Sequence, residues 1–109
     1  GLLVCSHAFR HTLANKILGC PNDNIILRLH NPFTGNNAII CEYEPGQFGR
    51  IICDASGKKC ITAYASKDRP AMNTLEVTVR HIHNTGYQDI KFVRPDMIDK
   101  IAQILAVMR

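Results

Sequence analysis

A chain of 109 residues is long enough to bury one hydrophobic core and short for two. Hydrophobic residues make up 46% and charged residues 20%, which excludes the disordered class, and no run of 18 apolar residues exists to span a membrane as a helix. The net charge of +4 favours polyanionic partners but falls short of a basic arm.

The segment Gly1-Leu2-Leu3-Val4-Cys5 lacks the basic start of a signal peptide, and a first residue of Gly suggests excision from a longer chain. Without Trp, the core must come mainly from Ile, Leu and Val. The five cysteines, Cys5, Cys20, Cys41, Cys53 and Cys60, are odd in number and contain no CxxC pair. Buried thiols in a reducing compartment are expected, with no metal and no cofactor.

In chain order, Ser6 can cap a helix over 6–18 whose apolar stripe is Phe9, Leu13 and Ile17, widened by Ala14 and Leu18. Gly19 and Pro21-Asn22-Asp23-Asn24 end it. Residues 25–30, Ile-Ile-Leu-Arg-Leu-His, read as a buried strand or as a short second helix capped by Asn24. Strands over 38–43, 48–53 and 59–64, joined by Glu44-Pro45-Gly46 and Asp54-Ala55-Ser56-Gly57, read as an antiparallel meander. Residues 66–73 form a polar loop. Leu75, Val77 and Val79 alternate with Glu76, Thr78 and Arg80, which predicts a fourth strand. Ile90 and Phe92 predict one more strand after the Asn84-Thr85-Gly86 turn, and Pro95 opens a final helix in which Ile98, Ile101, Ile104, Leu105 and Met108 reach the core. The expected fold is α+β in one domain, 1–109, with an N-terminal helix, a four- to five-stranded mainly antiparallel sheet and a C-terminal helix.

Chemistry is concentrated in two places. On a helix, His7, Arg10 and His11 are neighbours, and two imidazoles beside a guanidinium can move a proton and grip a phosphate. The plain alternative is that they form the wet face of an amphipathic helix. His7 and His11 also have an i, i+4 metal spacing, but the Glu of an HExxH motif is missing and Arg10 would repel a cation. In the strand ending at residue 64, Cys60, Thr62 and Tyr64 share one face while Ile61 faces the core, which leaves the Thr62 and Tyr64 hydroxyls for a cleft. His81 and His83 bracket Ile82 at a strand end, so they share a face and could contribute to a cleft, the plain alternative being an exposed strand end. His30 reads as a loop residue.

The order of a helix beginning His7-Ala8 with Arg10, an apolar segment ending Asn31-Pro32, and three strands closing on Ile61-Thr62-Ala63-Tyr64 resembles the small ribonuclease toxins of the barnase, EndoU, colicin and RelE superfamily. The likeness covers about residues 6–66. Ala65 stands where such toxins usually carry Pro, and strand and helix continue beyond the point where many of them stop. The resemblance implies a metal-independent RNA endonuclease in which His7, Arg10 and His11 map to helix-borne catalytic positions and Thr62 and Tyr64 to strand-borne ones. Lys58, Lys59, Lys67 and Arg69 would contact the nucleic acid. It implies RNA as the partner, transfer RNA included, together with a cognate inhibitor or immunity protein, and no membrane. The expected location is the cytoplasm, reached as part of a larger secreted protein. His7 to Ala14 is also similar to the His-x-x-Arg-His-Thr box of tyrosine recombinases, but the upstream Arg and Lys and the nucleophilic Tyr of that family are missing. The second class of function is a non-catalytic binding or interaction domain, such as an immunity or adaptor protein, with the sheet or the 66–73 loop as its contact surface.

Overall fold

The computed structural model describes residues 12–108. His7, Arg10 and His11 therefore lie outside the described residues, as do Cys5 and Phe9. Helix α1 (Thr12–Leu18) precedes strand β1 (Ile25–His30), which settles residues 25–30 as strand. The meander follows as β2 (Asn37–Glu44), β3 (Gln47–Cys53) and β4 (Cys60–Tyr64). Helix α2 (Leu75–Asn84), strand β5 (Asp89–Val93) and helix α3 (Ile98–Val107) complete an α+β fold. The five strands form one sheet in the order β4-β3-β2-β1-β5, with every neighbouring pair antiparallel.

Helices cover both faces of this sheet, and the strands carry the reason. Ala38-Ile39-Ile40-Cys41 and most of β3 are continuous buried runs, so apolar side chains leave both faces. On one face, Ala14 and Ile17 of α1 pack with Ile39, Cys41, Ile51, Cys53, Cys60 and Ala63. On the other, Leu75, Val79 and Ile82 of α2 and Ile101 and Ile104 of α3 pack with Leu27, Leu29, Ile40, Phe48 and Ile52. Gly49 sits directly beneath Ile17, where a Cβ would come within 2.7 Å of the isoleucine side chain. The glycine lets α1 approach the sheet.

Three expectations need correction. The strand expected at 75–80 is helix α2. Leu75 and Val79 fit both a period of two and a period of 3.6, but the buried set of Leu75, Thr78, Val79 and Ile82 is helical. Thr74 caps the helix by accepting from the Val77 N–H at 3.3 Å, and Glu76 pairs with Arg80 one turn on at 2.8 Å. Ile61 is 47% exposed rather than core. The register runs Ile52↔Thr62 and then Cys53↔Cys60, so Ile61 is the extra residue of a bulge, and Cys60 and Ala63 both turn toward α1. Ile98 in α3 is also exposed, leaving Ile101 and Ile104 to make the buried contacts.

Candidate functional site: a buried arginine beside a tyrosine–histidine pair

Strand β3 alternates Phe48, Arg50 and Ile52 toward α2, so a guanidinium enters an otherwise apolar row. Arg50 is only 5% exposed. Its register partner on β4 is Tyr64, and the guanidinium carbon lies 5.4 Å from the centre of that ring, within cation–π range. One terminal nitrogen donates to the Met72 carbonyl at 3.2 Å, while the buried Nε has no partner among the described residues. Among the described residues no carboxylate pairs with Arg50. Burial pulls its proton affinity below the ordinary arginine value, and the two nearby phenols, Tyr64 and Tyr43, oppose that shift. An arginine stays protonated in proteins, so the site holds an uncompensated, partly desolvated cation.

Tyr64 links Arg50 to helix α2. Its hydroxyl is 2.8 Å from His81 Nε2, and the two rings meet edge to face at 83°. Burial raises the Tyr64 phenol above its usual value against the pull of Arg50, so it stays protonated at neutral pH. Desolvation, and then the charge of Arg50, hold His81 below the ordinary histidine value. A neutral imidazole protonated on Nδ1 accepts the Tyr64 proton at Nε2. Arg50, Tyr64 and His81 line one open hollow of about 340 Å³ with Ser66, Arg69 and Met72.

The segment 65–72 that walls this hollow is pinned by Asn73, which is 1% exposed. Its side-chain carbonyl accepts from the Ser66 N–H at 2.8 Å, and its amide donates to the Ser66 carbonyl at 2.7 Å and to Gln47 Oε1 at 3.2 Å. Tyr43 Oη stands 3.3 Å from the same amide nitrogen. The expected polar loop is thus a braced wall ending in a short 3-10 turn, Pro70–Asn73.

Of the described residues singled out in the sequence, Tyr64, Arg69 and His81 line the hollow, and Thr62, Lys58, Lys59, Lys67, His30 and His83 do not. Thr62 lies two positions back along β4, half-buried on the same face but outside the hollow. Lys58 and Lys59 are exposed just before the far end of β4, roughly 17–20 Å from Tyr64 at the usual rise per strand residue. Lys67 lines clefts beside α1 instead. The described part of the first helix packs on the sheet face opposite Thr62 and Tyr64. His83 does not share a face with His81, because residues two apart on a helix diverge. Arg50 was missed, although a charge at an inward-facing position of an apolar strand was its signal. Among the described residues no group of three His, Cys, Asp or Glu could hold a metal ion.

Compared with known proteins, the chain matches no family model, no curated protein and no solved structure. No described helix is long and apolar enough to cross a membrane.

Proposed function

We propose that the chain is a metal-independent RNA endonuclease whose centre is Arg50, Tyr64 and His81. The observation that carries this reading is the buried Arg50, without an ion-pair partner among the described residues, lining the same hollow as a hydrogen-bonded tyrosine–histidine pair. A phosphodiester supplies the negative charge that Arg50 lacks, and the guanidinium stabilises the charge that grows on the phosphorane oxygens. Arg69 at the rim adds a second positive charge.

In this reading the ribose 2′-OH gives its proton to Tyr64 Oη as Tyr64 passes its own to His81 Nε2. The 2′ oxygen bonds to phosphorus, the bond to the 5′ oxygen breaks, the departing oxygen takes a proton from water, and the hydroxide so formed removes the proton from His81 and restores the neutral imidazole. The products are a 2′,3′-cyclic phosphate and a 5′-hydroxyl end. The mechanism keeps Tyr64 from the resemblance to ribonuclease toxins and places a histidine and an arginine from the described fold beside it. The chain's net charge of +4 suits a polyanionic substrate.

The test is incubation of the protein with total and transfer RNA in EDTA, with product ends identified chemically. Cyclic phosphate ends that disappear in Tyr64→Phe and His81→Gln support the centre. Intact RNA at micromolar enzyme refutes it. Cleavage that persists in both variants but is lost in His7→Ala or Arg10→Ala would move the chemistry to the N-terminal cluster.

A further inference from the structure

The other face of the sheet carries a separate feature. Helix α1 packs on β2, β3 and β4 there, and no described helix covers the β1–β5 half of that face. Arg28 of β1 pairs with Ile39 on one side and with Phe92 on the other, which puts all three on this face, Arg28 and Phe92 on its open half and Ile39 at the edge of the part that α1 covers. Between Arg28↔Phe92 and Leu29↔Ile90 the register slips by one, so Lys91 is the extra residue of a bulge. The bulge turns Lys91 to the side of Phe92 rather than to the opposite face. Two adjacent hollows result, of about 260 and 480 Å³, and Arg28 and Lys91 line both. Phe92, 42% exposed, forms part of the larger one, and Asn37 and Ile39 part of the smaller.

We infer that this groove binds single-stranded nucleic acid, with Phe92 stacking a base and Arg28 and Lys91 holding the flanking phosphates. Charge selects the occupant. Among the described residues neither cation forms an ion pair, and the Asp54 carboxylate at the β3 end is turned into its own loop by the Ser56 N–H and hydroxyl. An exposed aromatic ring between two unpaired cations offers a base a stacking platform and a backbone its counter-charge, whatever the base sequence. A duplex does not fit this chemistry, because its bases are already stacked. The inference shares with the proposed function the reading of a polyanionic partner, but it does not depend on catalysis.

The experiment measures binding of a fluorescein-labelled oligothymidylate, which has no 2′-OH and so survives the proposed chemistry. The Phe92→Ala variant is expected to bind roughly tenfold more weakly. The Arg28→Gln, Lys91→Gln double variant is expected to lose affinity and to flatten the plot of log K against log salt by about 1.4, two contacts at roughly 0.7 each. All three side chains are exposed, and an unchanged thermal melt confirms that the fold is retained. Unchanged affinity in these variants, or no binding by the wild-type chain, overturns the groove, and an acidic protein then becomes its candidate occupant. RNA cleavage with a refuted groove leaves the catalytic centre standing. Groove-dependent binding without any cleavage leaves the groove and removes the nuclease.

Discussion

The Tyr64 hydroxyl lies 2.8 Å from His81 Nε2, joining the last residue of β4 to the exposed side of α2. Burial of the imidazole and the charge of Arg50 both disfavour its protonated form. The neutral form is the one that accepts a proton, so cleavage is expected to rise with pH through an inflection below 6.5 and to be level around neutrality. Tyr64→Phe and His81→Gln should each lower the rate by roughly 10²-fold, and His81→Gln should also abolish the inflection. A rate that climbs only well above the ordinary histidine value would mean that another group is the base.

The same shift makes a prediction for folding. Below pH 6.5 the unfolded chain binds a proton at this histidine more readily than the folded chain does. Stability should therefore fall as the pH drops from 6.5 through the lowered folded value, and His81→Gln should remove that part of the dependence. Denaturant melts at a series of pH values read it directly, and an unchanged slope in the variant would contradict the shift.

Ile17 and Gly49 form the contact that seats α1 on the sheet. Ile17 is wholly buried, and a Cβ on Gly49 would approach three of its side-chain carbons to between 2.7 and 2.9 Å. Ile17→Ala should cost about 2–5 kcal/mol through the cavity it leaves. Gly49→Ala should cost about 1–3 kcal/mol by overpacking. The double variant should be more stable than the sum of the two losses predicts, because the new methyl enters the space that the isoleucine vacates. Strict additivity in denaturant unfolding would show that the two sites do not touch.

The helix–meander–helix plan was legible because turn residues and apolar runs mark it locally. The Gly46 and Gly57 turns both adopt positive φ, as the hairpins require. Leu75 and Val79 were ambiguous, since a spacing of four satisfies a strand and a helix alike. Only Thr78 and Ile82, buried by contacts distant in sequence, decide for the helix. The bulge at Ile61 was invisible for the same reason, because register belongs to the partner strand. Alternation paired Tyr64 with Thr62 on one face, but its premises, a core Ile61 and a Cys60 on that same face, fail at the bulge. His81 could be named as a cleft candidate, but its meeting with Tyr64 could not be read and Arg50 was not named at all, since both reach Tyr64 across a helix and a strand pair that the sequence does not juxtapose.

Thr78 is fully buried in α2 and its hydroxyl has no hydrogen-bond partner among the described residues. Desolvating an unpaired hydroxyl opposes folding, so Thr78→Val, which keeps the branched shape, should raise stability by about 1 kcal/mol. A loss of similar size in a thermal or urea melt would mean that the hydroxyl is satisfied in solution.

The four described cysteines, Cys20, Cys41, Cys53 and Cys60, are buried thiols. Burial raises the thiols of Cys20, Cys41 and Cys53, and the neighbouring Cys20 pushes Cys41 further. The thiolate is the reactive form, so native labelling by a disulfide reagent at mildly alkaline pH should be slow at these positions. Denaturant should make it fast. Rapid native modification at Cys41, located by peptide mapping, would show that α1 opens readily from the sheet.

Asn73 tests whether the wall of the hollow matters to the chemistry as well as to the fold. Its side chain bonds Ser66 through both backbone groups and reaches Gln47 and Tyr43 on the meander. The preceding residue, Met72, supplies the carbonyl that accepts from Arg50. Asn73→Ala removes these bonds and leaves the Ser66 groups to find water, at an expected cost of about 2–4 kcal/mol. It should also let residues 65–72 drift and release the guanidinium from its fixed aim. At a temperature where the variant is fully folded, cleavage should then fall at least tenfold, with the pH inflection of His81 retained. A variant that is destabilised but cleaves at the wild-type rate would confine Asn73 to a structural role. A variant that loses the inflection as well would show that the wall positions the imidazole, and not only Arg50.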